Sequence, residues 1–205
     1  KLLLIGTSRQ IEKDRIEDLL YRWLEYEKLR PDFVVEDQES QVVFKGAGVS
    51  FTGKIDRIDR IADGTTMLID YKTGAANFTD WEPSLRIEDP QMPVYATSMS
   101  DKPMAIAYAV LRADLMGFSG LAEESETAGL KTLDQAGSRF NEKTWESLFS
   151  EWEAVLKVLS REAAEGVATV NPRGAKECLH CHLQAFCRVG YEGLEKLGAE
   201  RNVTD

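Results

Sequence analysis

One stretch constrains this chain more than any other: Gly53–Gly74, GKIDRIDRIADGTTMLIDYKTG. Two strand-forming segments flank Asp63-Gly64, a dipeptide that signals a tight hairpin turn. The second segment, Met67-Leu68-Ile69-Asp70-Tyr71-Lys72, opens with three consecutive apolar residues, the pattern of a strand buried on both faces. A side-chain period of two puts Asp70 and Lys72 on one face and Tyr71 on the other. Pairing across the turn brings Asp56, on the first strand, close to Asp70. Carboxylates at the end of a buried strand are costly unless a cation or an ammonium group meets them. Mg²⁺ takes one or two carboxylates and leaves the rest of its shell to water and phosphate oxygens. The competing reading of Asp56, Asp70 and Lys72 is a surface hairpin with ordinary ion pairs.

The flanking sequence supplies a frame for this hairpin. Thr7 or Ser8 caps a helix reaching to about Leu29, with Ile16, Leu19, Leu20, Trp23 and Leu24 as one apolar stripe and Pro31 as its stop. Phe33–Val35 and Val42–Phe44 read as short strands, and Val49–Ile55 as a third that leads into Asp56, so that consecutive antiparallel strands form a meander. Glu36 and Glu39 precede it, and Glu39 reads either as a solvent-facing charge or as a further ligand. A helix is expected from Asp89-Pro90, since Asp caps well and Pro suits a first turn. Gln91 and Tyr95, four residues apart, share one of its faces. Gln91 reads either as an exposed helical residue or as one that reaches the site. Ala105–Leu111, nearly continuous in apolar residues, reads as a central strand packed under a helix, and Phe118–Leu121 as a shorter edge strand. Residues 123–139 read as loop, and Asn141 as the cap of a long helix carrying Trp145, Leu148, Phe149, Trp152, Val155, Leu156 and Leu159, ended by Gly166.

Length and composition narrow the classes. The 205 residues suit one α/β domain with a full core, here residues 1–170, followed by a cysteine-bearing segment, 171–205, packed on it. No apolar run approaches a membrane span, and no secretory leader is visible. The chain opens at Lys1 without Met and reads as a piece of a longer polypeptide. A net charge of −10 has the wrong sign for holding DNA by bulk electrostatics alone, which counts against a stand-alone DNA-binding module. The three cysteines, Cys178, Cys181 and Cys187, cluster too tightly for a disulfide framework and point to metal. Zinc bound by three thiolates and His180 or His182 is one reading, an iron–sulfur cluster another, and three free buried thiols a third.

In order along the chain, Gly53-x-Ile55-Asp56, Asp70-Tyr71-Lys72-Thr73-Gly74, Gln91-x-Pro93-x-Tyr95 and Cys178-x2-Cys181-x5-Cys187 resemble the blocks of the PD-(D/E)xK nuclease superfamily. Within it they resemble the RecB/AddB-type nuclease domains, over roughly residues 15–190. The resemblance implies a restriction-endonuclease-like α/β fold: a central mixed sheet, made of an antiparallel meander plus a further strand, flanked by helices. It implies a hydrolase that cuts DNA with Mg²⁺ or Mn²⁺, as an exonuclease acting on DNA ends in repair and recombination. The metal ligands would be Asp56, Asp70 and the backbone carbonyl of Tyr71, with Glu39 completing the set. Lys72 would orient the attacking water or steady the transition state, Gln91 would position Lys72 or the scissile phosphate, and Tyr95 would support it. The three cysteines would join a far-upstream cysteine around a 4Fe–4S cluster in the full-length protein, with zinc as the alternative. The expected partners are DNA and a helicase-like region upstream or in a partner subunit, with no membrane, in a bacterial cytoplasm. Two family features are missing, the upstream cysteine and a G-x-x-x-H histidine. Truncation explains both. So does a catalytically degenerate relative that binds DNA ends or protein, stapled by its metal cluster.

Overall fold

The computed structural model describes residues 7–178 and 181–187, apart from 63, 85, 125, 126 and 174. Two compact units divide the chain, Lys1–Ser160 and Arg161–Asp205. The first unit is built on one six-stranded sheet in the order β1 to β6. Its strands are β1 (Phe33–Gly46), β2 (Val49–Ile61), β3 (Thr66–Lys72), β4 (Ala105–Leu111), β5 (Met116–Ala122) and β6 (Leu130–Lys131). The first three form the expected antiparallel meander, β3 pairs parallel with β4, β4 antiparallel with β5, and β5 parallel with β6. This mixed sheet carries helices on both faces, a restriction-endonuclease-like α/β fold.

Each face of the sheet has its own core, set by the alternation of β4. Ala105, Ala107 and Ala109 lie with Met67, Ile69 and Phe118 on one face. Those small side chains leave room for Trp23 of helix α1 (Thr7–Glu27), which meets Phe118 edge-on at 5.2 Å. Ile106, Tyr108 and Val110 lie with Leu68 on the other. That face is covered by helix α2 (Gln91–Ser98) and by the buried Trp145, Leu148, Phe149, Trp152 and Leu156 of helix α3 (Trp145–Ala164).

Four sequence expectations change here. Phe33–Val35 and Val42–Phe44 are the ends of one 14-residue strand, whose polar middle hides it, with a register shift between Val35 and Asp37. The edge strand is β6, drawn from a stretch read as loop, and β5 lies one place inside it. Helix α3 starts at Trp145, not near Asn141, because Thr144 and Ser147 cap each other: Thr144 Oγ1 accepts from Ser147 N at 3.1 Å and Ser147 Oγ from Thr144 N at 2.9 Å. Thr7 and Ser8 are already helical, so the cap of α1 falls outside the described residues, as does Asp63 of the turn. The stripe of α1 also proves mostly open: Trp23 is buried, but Ile16, Leu20 and Leu24 are 42%, 48% and 57% exposed.

Candidate active site

Asp70 sits at the buried end of β3, only 3% exposed, and Lys72 follows two residues on along the same face. Their Oδ2 and Nζ are 2.8 Å apart. Helix α2 closes on this pair through Gln91, whose Nε2 donates to Asp70 Oδ1 at 2.7 Å while its Oε1 accepts from Lys72 Nζ at 2.6 Å. The amide therefore holds carboxylate and ammonium together. Tyr95, one turn on, accepts from Gln91 Nε2 at 3.3 Å. Gln91 is thus not a free helical residue: it is bonded to both Asp70 and Lys72.

The reason α2 comes so close is Gly53. A Cβ there would stand 2.4 Å from the Tyr95 ring, so only glycine lets helix and strand meet at this point. The start of α2 is fixed by Asp89, whose Oδ1 accepts from Gln91 N at 3.1 Å. Its Oδ2 accepts from the Tyr108 hydroxyl at 2.6 Å, which in turn accepts from Trp81 Nε1 at 2.9 Å. Burial, then the hydrogen bond to Asp89, pushes the Tyr108 hydroxyl pKa upward, so it stays a donor. This chain of buried bonds anchors Gln91 to β4. Sequence reasoning gave Asp89 only a capping role and gave Tyr108 none, because their link spans elements that no local pattern connects.

Asp56 approaches from β2, though not by plain alternation. Ile55 and Ile58 share one core while Ile61 lies in the other, so the period of two breaks between residues 55 and 58. Across from it the ladder passes from Gln38↔Arg57 to Ser40↔Ile55, skipping Glu39 and Asp56. Glu39 takes φ 54°, a left-handed conformation uncommon for a residue with a side chain. Asp56 Oδ2 accepts from Tyr71 N at 2.9 Å, which ties it to the strand carrying Asp70. Glu39 and Asp56 line one cleft of about 400 Å³ with Gln38, Arg57 and Tyr71. The Glu39 carboxylate itself is exposed and ion-paired with Lys54, and the structure does not gather it with the two aspartates.

Electrostatics mark Asp70 out. Burial raises its carboxyl pKa, Lys72 opposes that shift, and the nearby charges of Asp56 and Asp89 add to it. Its Oδ2 is buried and, despite the ammonium beside it, receives no aligned hydrogen bond. Carboxylate oxygens are hard donors of the kind that suit Mg²⁺ or Mn²⁺. Asp56 and Asp70, close enough for their charges to act on each other, are the two carboxylates that such an ion would meet here. Among the described residues no larger group of His, Cys, Asp and Glu stands ready to hold one.

Behind the strand, Tyr71 faces a separate ion network. Arg57 Nη1 donates to the Tyr71 hydroxyl at 2.8 Å and to Glu27 at 2.9 Å, and its Nε and Nη2 reach Asp59 at 2.6 and 2.9 Å. Arg30 adds a second bridge to Asp59 at 2.9 Å. Burial works to lower the Arg57 pKa, but these bonds outweigh it and hold it raised. The network clamps α1, β2 and β3 beneath the site.

In the second unit, Cys178 and Cys187 are half-buried and Cys181 exposed, all as free thiols. The Cys178 thiol pKa is pushed up, by desolvation first and then by Cys181 and Cys187. Leu183 N donates to Cys181 Sγ at 3.4 Å, just before the short helix α4 (Gln184–Cys187). His180 lies outside the described residues. Three thiols do not complete the four ligands that zinc or a 4Fe–4S cluster requires.

No curated protein matches this chain. A solved structure titled "Crystal structure of SSO0001" aligns at 16% identity and a TM-score of 0.39, covering 84% of this chain and 68% of that one. Residues 6–188 match the model of one family, described as the PD-(D/E)XK nuclease superfamily. That span contains every residue of the constellation on β2, β3 and α2, and on it the chain belongs to the PD-(D/E)XK nuclease superfamily.

Proposed function

We propose that this chain is a divalent-metal-dependent DNA nuclease, an exonuclease acting on DNA ends, and the nuclease part of a larger helicase–nuclease protein of repair or recombination. The observation that carries the nuclease reading is the buried Oδ2 of Asp70, lacking an aligned hydrogen bond, with Lys72 2.8 Å away and Gln91 bonded to both. Asp56, Asp70 and the Tyr71 carbonyl would hold Mg²⁺ or Mn²⁺, which when bound lowers the pKa of a water and draws charge from the phosphate oxygens. Lys72, held by Gln91, steadies the extra negative charge that develops on the phosphate during attack. Tyr95 limits the rotation of Gln91 and so keeps that ammonium in place. The action on ends and the helicase partner rest on the resemblance of the four sequence blocks to RecB/AddB-type domains. In the same reading, the cysteine segment closes a 4Fe–4S cluster when a fourth cysteine comes from outside these residues. Iron, sulfide and zinc analysis of the purified protein distinguishes that cluster from zinc.

The direct test is degradation of end-labelled single- and double-stranded DNA with Mg²⁺ or Mn²⁺, against Asp70→Ala. Cleavage by the wild type alone supports the proposal. If neither cuts, a longer polypeptide carrying the fourth cysteine and the histidine is the next enzyme to assay. Silence there too gives the chain to the non-catalytic, DNA-end-binding reading.

A further inference from the structure

Beside Gln91 lies an apolar groove of about 400 Å³ that the chemistry above does not use. Gln91 and Tyr95 of α2, Phe44 and Phe51 of the sheet and Leu156 of α3 are among the residues that line it. These two phenylalanines are a cross-strand pair with ring centroids 6.3 Å apart. Gly53 also lines the groove, at the point where the Tyr95 ring packs on the strand. Phe51 is 50% exposed, a large aromatic face left to solvent. Past Phe44 the groove adjoins a polar cleft of about 660 Å³ that holds Lys45 and Lys157. Neither lysine has an ion-pair partner among the described residues, in a chain whose net charge is −10.

A chain this acidic cannot gather nucleic acid by its overall field, so affinity has to come from a few local contacts. An open aromatic face, followed by two unpaired ammonium groups and continuous with the candidate active site, matches one chemistry. That is a single strand, whose bases are free to stack and whose phosphates recur along its length. A duplex keeps its bases stacked inside and presents none to Phe51.

We propose that this groove is a single-strand subsite: a nucleobase next to the scissile phosphate stacks on Phe51, and the phosphates beyond pass Lys45 and Lys157. The proposal rests on the nuclease reading and deepens it, naming single-stranded DNA as the form of substrate. Binding in the absence of divalent metal is measured separately from cleavage, so either idea can fail alone. The probes are a fluorescent single-stranded oligonucleotide and the matching blunt duplex, followed by anisotropy. Phe51→Ala is expected to lower affinity for the single strand about tenfold. Phe51→Trp is expected to keep it, and the melting temperature of each variant guards against misfolding. Replacing both lysines by glutamine is expected to flatten the dependence of log affinity on log salt by about 1.4, from two lost phosphate contacts. Equal single-strand affinity for Phe51→Ala and wild type would overturn the proposal, as would an equal loss on the duplex.

Discussion

Burial opposes the charge on Asp70, and the Lys72 ammonium beside it favours that charge. An amide of the same shape carries no charge to bury, so Asp70→Asn separates chemistry from stability. Cleavage should fall on the order of 100-fold or more. Chemical denaturation should find stability unchanged within about 1 kcal/mol, or improved, as is common where a site is kept for function and not for stability. The opposite pattern belongs to Gly53. In Gly53→Ala the new Cβ meets the Tyr95 ring at 2.4 Å, and the misfit should cost about 1–3 kcal/mol while loosening Gln91. Thermal melting and the cleavage rate should therefore fall together. At this scale the sequence was partly informative: Asp70 and Lys72 share a face as strand periodicity implies, whereas Asp56 reaches β3 only through a break in that period. Gln91 was visible only through its spacing from Pro93 and Tyr95. Asp89, Tyr108 and Trp81 were not visible, because their hydrogen bonds join residues up to 27 positions apart whose side chains look like ordinary core and cap.

Among the elements, β3 is held from both faces. Gln91 of α2 grips it on one side, and the Arg57–Asp59–Glu27 network grips it on the other through Tyr71. Asp59 is fully buried between two guanidinium groups. Asp59→Ala leaves both arginines short of an anion, and breaking a buried pair on one side costs about 3–5 kcal/mol. Urea denaturation checks this, with Glu27→Gln as a milder companion. Sequence gave no sign of the clamp. Glu27, Arg30, Arg57 and Asp59 share no spacing that links them, and their ion pairs join residues 29 and 30 positions apart. The same limit concealed β1, whose polar centre, Glu36–Gln41, lacks the apolar alternation by which strands are recognised. It also misplaced the stripe of α1, since spacing shows which residues share a face but not how much of that face the sheet covers.

For the whole molecule, the two-carboxylate site predicts a linkage between metal and folding. An ion that binds only the folded state raises stability by about 2.7 kcal/mol at a hundred times its dissociation constant. Melting curves across a Mg²⁺ or Mn²⁺ titration should move upward for the wild type and stay flat for Asp70→Asn. The strand order carries one more consequence, and it concerns time. Three of the sheet's neighbour pairs are antiparallel and two parallel, and Lys72 is separated from β4 by the whole of residues 73–104. Hairpins close in microseconds, whereas a parallel pair must first draw a long connection shut. Gln91 lies inside that connection, so Asp56 and Asp70 can meet in the early hairpin while Lys72 still lacks its clamp. A newly made chain would thus gather its acids first and its competent site last, when the crossover docks.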